Sequence, residues 1–420
     1  MRPARHLYEV GIIKLFLDAI LAAATSIRGT SAVLELIIRH LPFANLSPQP
    51  NSGRMWLLRV GLFQLTREKE RADDWVWMMD HTVQLGQYKC LIILGIRLSQ
   101  WDQSRPLRHK DMTLWNLTPM DSSSGEAVHE PRKATGNWTG PPRAGGRDQG
   151  SDLVRSMQFF RQDQPSVRHQ LDMKHKNARL LKAQLDSDPR WSEFVTRANV
   201  AKLGTTQTSL AFLNPPGLKT KARYMNLDTL VEWGSRTLAW LDSPAREALS
   251  ADDRLKVQKK LGWLGSYRRA LKRWSELLHV ARTAESAVHA GIHATIGEEI
   301  RMELEPIITT PAARRMCKEV LEFLTTQSSG LSEGTRLIGS TEVLESIIGR
   351  YKRLQSTHSK GGMTAMLLSI GAIVGQRSRE LIQQALEQIR TSDVTDWCAE
   401  HLGRTIQGQK RASHRATKSG

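Results

Sequence analysis

The residues best suited to chemistry in this chain are carboxylates set among apolar neighbours. The period changes at Asp73, and Trp75–Val83 (WVWMMDHTV) has the composition of a strand. Alternation puts Val76, Met78, Asp80 and Thr82 on one face, and Trp77, Met79, His81 and Val83 on the other. A carboxylate amid so much apolar surface is costly unless a metal or a cation compensates it. An edge-strand aspartate reaching solvent or an arginine is the plain alternative. Arg147–Leu153 (RDQGSDL) holds a second acidic pair: Asp148 would close a strand, Gly150 would open the turn into a helix, and Asp152 follows. Turn and capping aspartates have the same pattern. Ser340–Lys352 (STEVLESIIGRYK) reads as a capped helix with Glu342, Glu345, Gly349 and Lys352 on one stripe. Val343, Leu344, Ile347 and Tyr351 face the other way. Gly349 weakens such a helix, which suggests a close approach there; a solvated polar face is the alternative.

The three pieces share one chemical logic. Phosphodiester chemistry needs carboxylates that hold two Mg²⁺ ions about 3.5–4 Å apart, one activating the attacking oxygen and one stabilising the leaving oxygen. An Asp on a central strand, an Asp ending a neighbouring strand and a Glu on a packed helix can converge on such a pair.

At this point the chain resembles the bacterial insertion-sequence transposases that carry an RNase H-like Asp-Asp-Glu catalytic domain. The segments that carry the likeness are DDWVWMMDHT (73–82), DQGSDL (148–153), LDMKHKNARLLK (171–182), KARYMNL (221–227) and STEVLESIIGRYK (340–352). The resemblance implies that Asp80, Asp148 and Glu345 bind two Mg²⁺ or Mn²⁺ ions. Glu345 and Lys352 match a Glu-x6-Lys spacing in which the Lys contacts DNA. The Arg expected four residues before the Glu is Thr341 here, so Glu342 stays a rival for the third carboxylate, and Asp152 a weaker one for the second. The implied activity is metal-dependent cleavage of element ends, followed by attack of the 3′-OH on target DNA. The alternatives are an inactive transposase-derived DNA-binding protein and an RNase H-like nuclease without strand transfer.

The elements that must position these groups give an α/β, helix-rich organisation: an RNase H-like mixed sheet, a large all-α insertion and an N-terminal helical domain. Residues 1–70 read as three helices compatible with a helix-turn-helix module, with Ser26 as an N-cap and Arg54 and Arg59 on the third helix. On the second, Ala32, Val33, Leu36 and Ile37 supply the apolar positions. Residues 71–184 form the first part of the catalytic core, with a meander of strands over 75–83, 90–98 and 112–117 and a further strand within 166–173. Residues 121–146 read as loop with a short helix at most near Glu126. The strand leading to Asp148, Pro142–Arg147 (PRAGGR), has no β-branched or large apolar residue. Replacing Gly145 and Gly146 by Ile-Val is therefore expected to raise stability. The stretch from Asp148 to Glu345 far exceeds a short strand-helix path, which the resemblance explains as an insertion over roughly 185–335. Its tryptophans (Trp191, Trp233, Trp240, Trp263, Trp274) are expected chiefly in a helical core. Residues 336–407 return to the catalytic core, and 408–420 form a basic, helix-poor tail expected to be disordered.

Charge points the same way. Sixty Lys+Arg against 42 Asp+Glu leave a net +18, which favours a polyanionic partner. Double-stranded DNA, as element terminal repeats and target, is the implied partner, with a homo-oligomer on it. The expected DNA contacts are Arg54, Arg59, Lys174, Lys176, Lys219, Lys221, Arg223 and Lys352. Three widely spaced cysteines (Cys90, Cys317, Cys398) offer neither a disulfide framework nor a zinc motif, and suit a reducing bacterial cytoplasm near the nucleoid. Residues 10–24 are interrupted by Lys14 and Asp18. The uncharged run 361–375 is shorter than the ~20 residues of a membrane span and is expected as a buried core helix. No membrane association is expected.

Overall fold

The computed structural model describes residues 2–41, 46–85, 88–147, 150–217, 227–356 and 363–402. They divide into two compact units: Met1–Gln170 with Thr341–Gly420, and Leu171–Ser340.

The first unit opens with helices α1 (Val10–Leu21), α2 (Ile27–His40) and α3 (Pro50–Thr66). Its sheet comprises β1 (Trp75–Leu85), β2 (Tyr88–Arg97), β3 (Thr113–Met120), β4 (Ala144–Arg147) and β5 (Arg168–Leu171), interleaved with α4 (Gly125–Thr139) and α5 (Ser151–Asp163). Strand order is β3-β2-β1-β4-β5. The β1–β2 and β2–β3 pairs are antiparallel, whereas β4 runs parallel to β1 with Val76↔Ala144 through Met79↔Arg147 in register. β1 thus lies inside the sheet, at the point where antiparallel pairing gives way to parallel. Alternation buries one of its faces, with Trp75, Trp77 and Met79, in a core shared with Trp115, Val128, Met157 and Phe160.

The second unit is helical: α6 (Met173–Asp186), α7 (Pro189–Thr205), α8 (Asp228–Leu241), α9 (Ala251–Leu261), α10 (Arg268–His289), α11 (Ile296–Leu304) and α12 (Pro311–Ser328). Its centre is aromatic. Trp191, Phe194, Trp233 and Trp274 are buried, with Trp191 and Trp274 edge-to-face at 4.9 Å, and Trp240 and Trp263 pack on the same core. The Trp274 indole donates to Asp188 at 2.9 Å and the Trp233 indole to the Leu213 carbonyl at 2.8 Å. These rings are structural rather than base-stacking platforms. Within this unit the Met173 N–H donates to the Gly339 carbonyl at 3.3 Å, so the chain enters and leaves it side by side. That is the geometry an inserted unit requires. It spans 171–340, wider at both ends than 185–335.

The chain returns to the first unit as α13 (Glu342–Ser356), α14 (Ser369–Ile373), α15 (Arg379–Gln388) and α16 (Thr391–His401). α14 and the 3-10 turn before it, Ala365–Leu368, are the core segment expected around 361–375, though 361 and 362 lie outside the described residues. Among the described residues no helix is long and apolar enough to cross a membrane.

Three expectations are corrected here. First, residues 1–70 are not a separate domain. α3 is buried nearly all round (Trp56, Leu57, Leu58, Val60, Leu62, Phe63) and packs on α1, α2, β3, α14, α15 and α16. A helix covered on its faces has none left to lay in a DNA groove. On α2, Ser26 does cap, accepting from Gly29, but Ile27, Thr30, Ser31 and Leu34 are the buried face while Val33 and Leu36 are exposed.

Second, the 121–146 region contains a 15-residue helix, α4, despite Pro131. Ser124 caps it by accepting from the Ala127 N–H, and Gly140 ends it at φ +84°. The Pro131 carbonyl accepts from Thr135 Oγ1 and Asn116 Nδ2. Packing on β3 and α5 overrides the propensity of a proline-containing segment.

Third, the poor strand is not damaged. A Cβ at Gly145 would lie 3.3 Å from the guanidinium of Arg132, a fully buried side chain stacked 3.9 Å from the Phe160 ring centroid. A Cβ at Gly146 would lie 3.5 Å from Thr341 Cγ2. Neighbouring elements already fill the volume that larger strand residues would take. Gly145→Ile is accordingly expected to destabilise by about 1–3 kcal/mol through overpacking. Thermal unfolding checks it: a raised melting temperature would contradict the account.

Candidate active site and basic surface

Asp80 leaves β1 on the face that also carries Val76 and Met78, opposite the tryptophan-rich core. α13 packs on β1. Thr341, just before α13, sits against Gly146, the register partner of Met78. The start of α13 is therefore brought to Asp80's side of the sheet. Along α13, Val343, Leu344, Ile347, Ile348, Tyr351 and Leu354 are buried, which leaves Glu345 half-buried and Glu342, Gly349 and Lys352 exposed. Amphipathic periodicity alone fixes this division. A Cβ at Gly349 would meet nothing within 4 Å, so no described part of the protein approaches there.

Asp80 is half-buried and accepts a 2.6 Å hydrogen bond from the His81 N–H. Asp148 lies outside the described residues. The parallel register is described as far as Met79↔Arg147, one residue short of Asp80 and Asp148 in the sequence. Asp80 and Glu345 are hard oxygen donors on touching elements, a donor type that suits Mg²⁺ or Mn²⁺. Among the described residues no group of three His, Cys, Asp or Glu side chains comes together to hold a metal.

Asp152 is engaged elsewhere. Its Oδ2 accepts from Lys89 Nζ at 3.1 Å and lies 3.7 Å from His81 Nδ1, on a side chain that alternates to the face opposite Asp80. Burial alone would raise the Asp152 carboxyl. Hydrogen bonds from Ser123, the Leu153 N–H and Lys89 outweigh that and hold it below the usual range. Burial lowers the His81 imidazole, with Lys89 assisting and Asp152 opposing. This arrangement uses Asp152 as an ion-pair partner at the start of α5.

The expected DNA contacts separate clearly. Arg59 is spent internally: its guanidinium donates to the Leu386 carbonyl in the last turn of α15 and to the Ile389 carbonyl just past it, and lies 3.1 Å from His6 Nε2. It caps a helix end, so its donors are engaged within the fold. Arg54 is half-buried and reaches Asn51 at 3.5 Å. In the second unit Lys174 and Lys176 are both half-buried, and Lys176 lies 3.7 Å from Glu319. Lys219, Lys221 and Arg223 lie outside the described residues, as do 408–420.

Lys352 is exposed on α13, and the same helix carries part of a basic cluster that spacing did not show. His109, Arg350, Arg353 and Arg377 gather around α13, with His109 Nε2 3.0 Å from Ser346 Oγ. Burial first, then the charges of Arg350 and Arg377, lower the His109 imidazole; burial, then Arg353 and Arg377, lower Arg350. Arg350 and Arg353 form no ion pair among the described residues. Arg377 lies 3.4 Å from Asp18, and the mutual repulsion of Arg350 and Arg353 on α13 suits an anion. Only the run GRYKR hinted at it, because His109 and Arg377 join through the fold.

If that anion is DNA, Arg350→Ala with Lys352→Ala should flatten log K against log salt by roughly 0.9 for each phosphate no longer neutralised. Titrations at several salt concentrations read this directly. An unchanged slope in the double variant removes the surface from the binding interface.

No family model and no curated protein matches the chain. Among solved structures it is similar to one titled "Drosophila P element transposase strand transfer complex", at 9% identity and TM-score 0.44, over 92% of this chain and 94% of that one.

Proposed function

We propose that this protein is a metal-dependent DNA transposase with an RNase H-like catalytic domain, akin to those of bacterial insertion sequences. It cuts the ends of a mobile element and joins the freed 3′-OH to target DNA. The observation that carries the reading is Asp80 on an inner strand, at the antiparallel-to-parallel switch, facing the helix that presents Glu345.

Asp80 and Glu345, with Asp148 by the resemblance, would hold two Mg²⁺ or Mn²⁺ ions, which supply Lewis-acid stabilisation and an activated attacking oxygen. The chain's own part is to hold these carboxylates on rigid elements and to offer Arg350, Arg353 and Lys352 to the DNA backbone. The net charge of +18 supports DNA as the partner. Assembly as a homo-oligomer on DNA and a place in the bacterial cytoplasm, at the nucleoid, belong to the same reading.

The test is cleavage of a duplex element end in Mg²⁺ or Mn²⁺, followed by incubation of a pre-cut end with target plasmid. Both nicking and joining are expected, and chelation should stop both. Nicking without joining would make the protein a nuclease. Binding without nicking would make it an inactive descendant.

A further inference from the structure

The first unit contains a cavity of about 1150 Å³ at the β3 edge of its sheet, lined by the segment leaving α3, by α4 and by the end of α16. The segment RE-KE-R, residues 67–71, alternates along it. Arg67 and Lys69 are half-buried, whereas Glu68 and Glu70 are exposed, and Glu70 is taken up by Arg97 at 2.6 Å. Among the described residues neither Arg67 nor Lys69 forms an ion pair, although Glu130 of α4 also lines the cavity. There Lys69 Nζ donates only to the main-chain carbonyls of Leu65 and Arg67, at 2.6 and 3.1 Å, and stands 5.7 Å from the Trp115 ring centroid. Arg67 Nε is buried with no hydrogen-bond partner among the described residues. Burial, then the charge of Arg67, pulls the Lys69 ammonium down to about 8. An unpaired buried donor costs stability unless a ligand satisfies it.

The other walls are flat. Trp138 is 60% exposed, and the exposed His401 ring lies stacked over the buried Trp397, with ring centroids 4.8 Å apart and planes 11° apart. Cations without ion-pair partners beside the exposed ring of Trp138 and the exposed imidazole of His401 match a ligand that carries both anionic oxygens and a free π-face. Duplex DNA keeps its base faces stacked inside; a single strand offers them. A carboxylate-bearing peptide would meet the cations but leave the aromatic planes without a matching plane, and the net charge favours a polyanion.

We propose that this cavity holds unstacked nucleotides of a single-stranded DNA segment, with phosphate oxygens at Arg67 and Lys69 and bases against Trp138 and the outer face of His401. The proposal rests on the reading of the protein as DNA-acting. Its site is separate from the carboxylates on β1 and α13.

The experiment uses the full chain and fluorescence anisotropy with a labelled short oligodeoxythymidine, set beside a duplex of equal length. Trp138→Ala changes an exposed side chain, and Lys69→Met replaces a half-buried ammonium with an apolar group of similar length. Trp138→Ala is expected to weaken single-strand binding roughly five-fold or more, the scale of one base stack, while duplex affinity holds. Lys69→Met is expected to lower the single-strand salt slope by roughly 0.7. Wild-type single-strand affinity in both folded variants overturns the assignment, as does an equal loss on duplex. Duplex binding by the wild type with no single-strand binding overturns the cavity's role and leaves the DNA reading standing. Binding of neither form removes the DNA reading and the cavity's role with it.

Discussion

Asp80→Asn is expected to abolish strand cleavage while leaving DNA binding within about two-fold of wild type. The substitution keeps side-chain volume and the acceptor for the His81 N–H but removes the charge. A metal cage stabilises the developing charge on the scissile phosphate by several kcal/mol. Losing one charged ligand should therefore lower the rate roughly a thousand-fold or more, since each 1.36 kcal/mol is a factor of ten. Glu345→Gln and Glu342→Gln belong in the same experiment. Glu345 is half-buried on the side of α13 next to the buried stripe, and Glu342 is exposed, so Glu345→Gln is expected to be the fatal one. Asp80→Asn protein that nicks an element end at the wild-type rate would falsify the assignment. Loss in Glu342→Gln alone would move the third ligand one helical turn back.

The largest stability effect is expected from Gly61→Ala. A Cβ at Gly61 would lie 1.8 Å from the Leu368 carbonyl oxygen, and one at Gly371 would lie 2.3 Å from the Gly61 carbonyl oxygen. Here α3 and α14 meet backbone to backbone, where neither partner can rotate away as a side chain would. Overpacking typically costs 1–3 kcal/mol and more when the backbone must move, so about 3 kcal/mol is the expected loss. Because α14 packs on both α3 and α13, the shift should also disturb α13 and lower cleavage. Denaturant unfolding and an activity assay on the same preparation read both effects. Stability within about 0.5 kcal/mol of wild type would show that the two helices separate freely.

Local periodicity made much of this protein legible. The β1–β2–β3 meander, the helix bearing Glu342 and Glu345, and the helical character of 171–340 all follow from spacing and composition. So does the two-faced β1, since a period of two needs no knowledge of the rest of the chain. Other features depended on partners distant in sequence. α4 forms across Pro131 because β3 and α5 hold it. The glycines of β4 read as a defect until Arg132 and Thr341 are seen filling the space beside them.

Arg59 and Lys352 look alike as letters on helices, yet one is consumed by carbonyls more than three hundred residues away and the other is left exposed. Asp152 and Asp80 likewise differ by the neighbours the sheet assigns them: Lys89 for the first, and for the second the face on which α13 packs. The sequence by itself determined which residue types could do chemistry and the elements that carry most of them. Only the tertiary structure decided which charges are spent holding the fold and which remain for a partner, because that depends on burial and long-range pairing, and neither is a property of spacing.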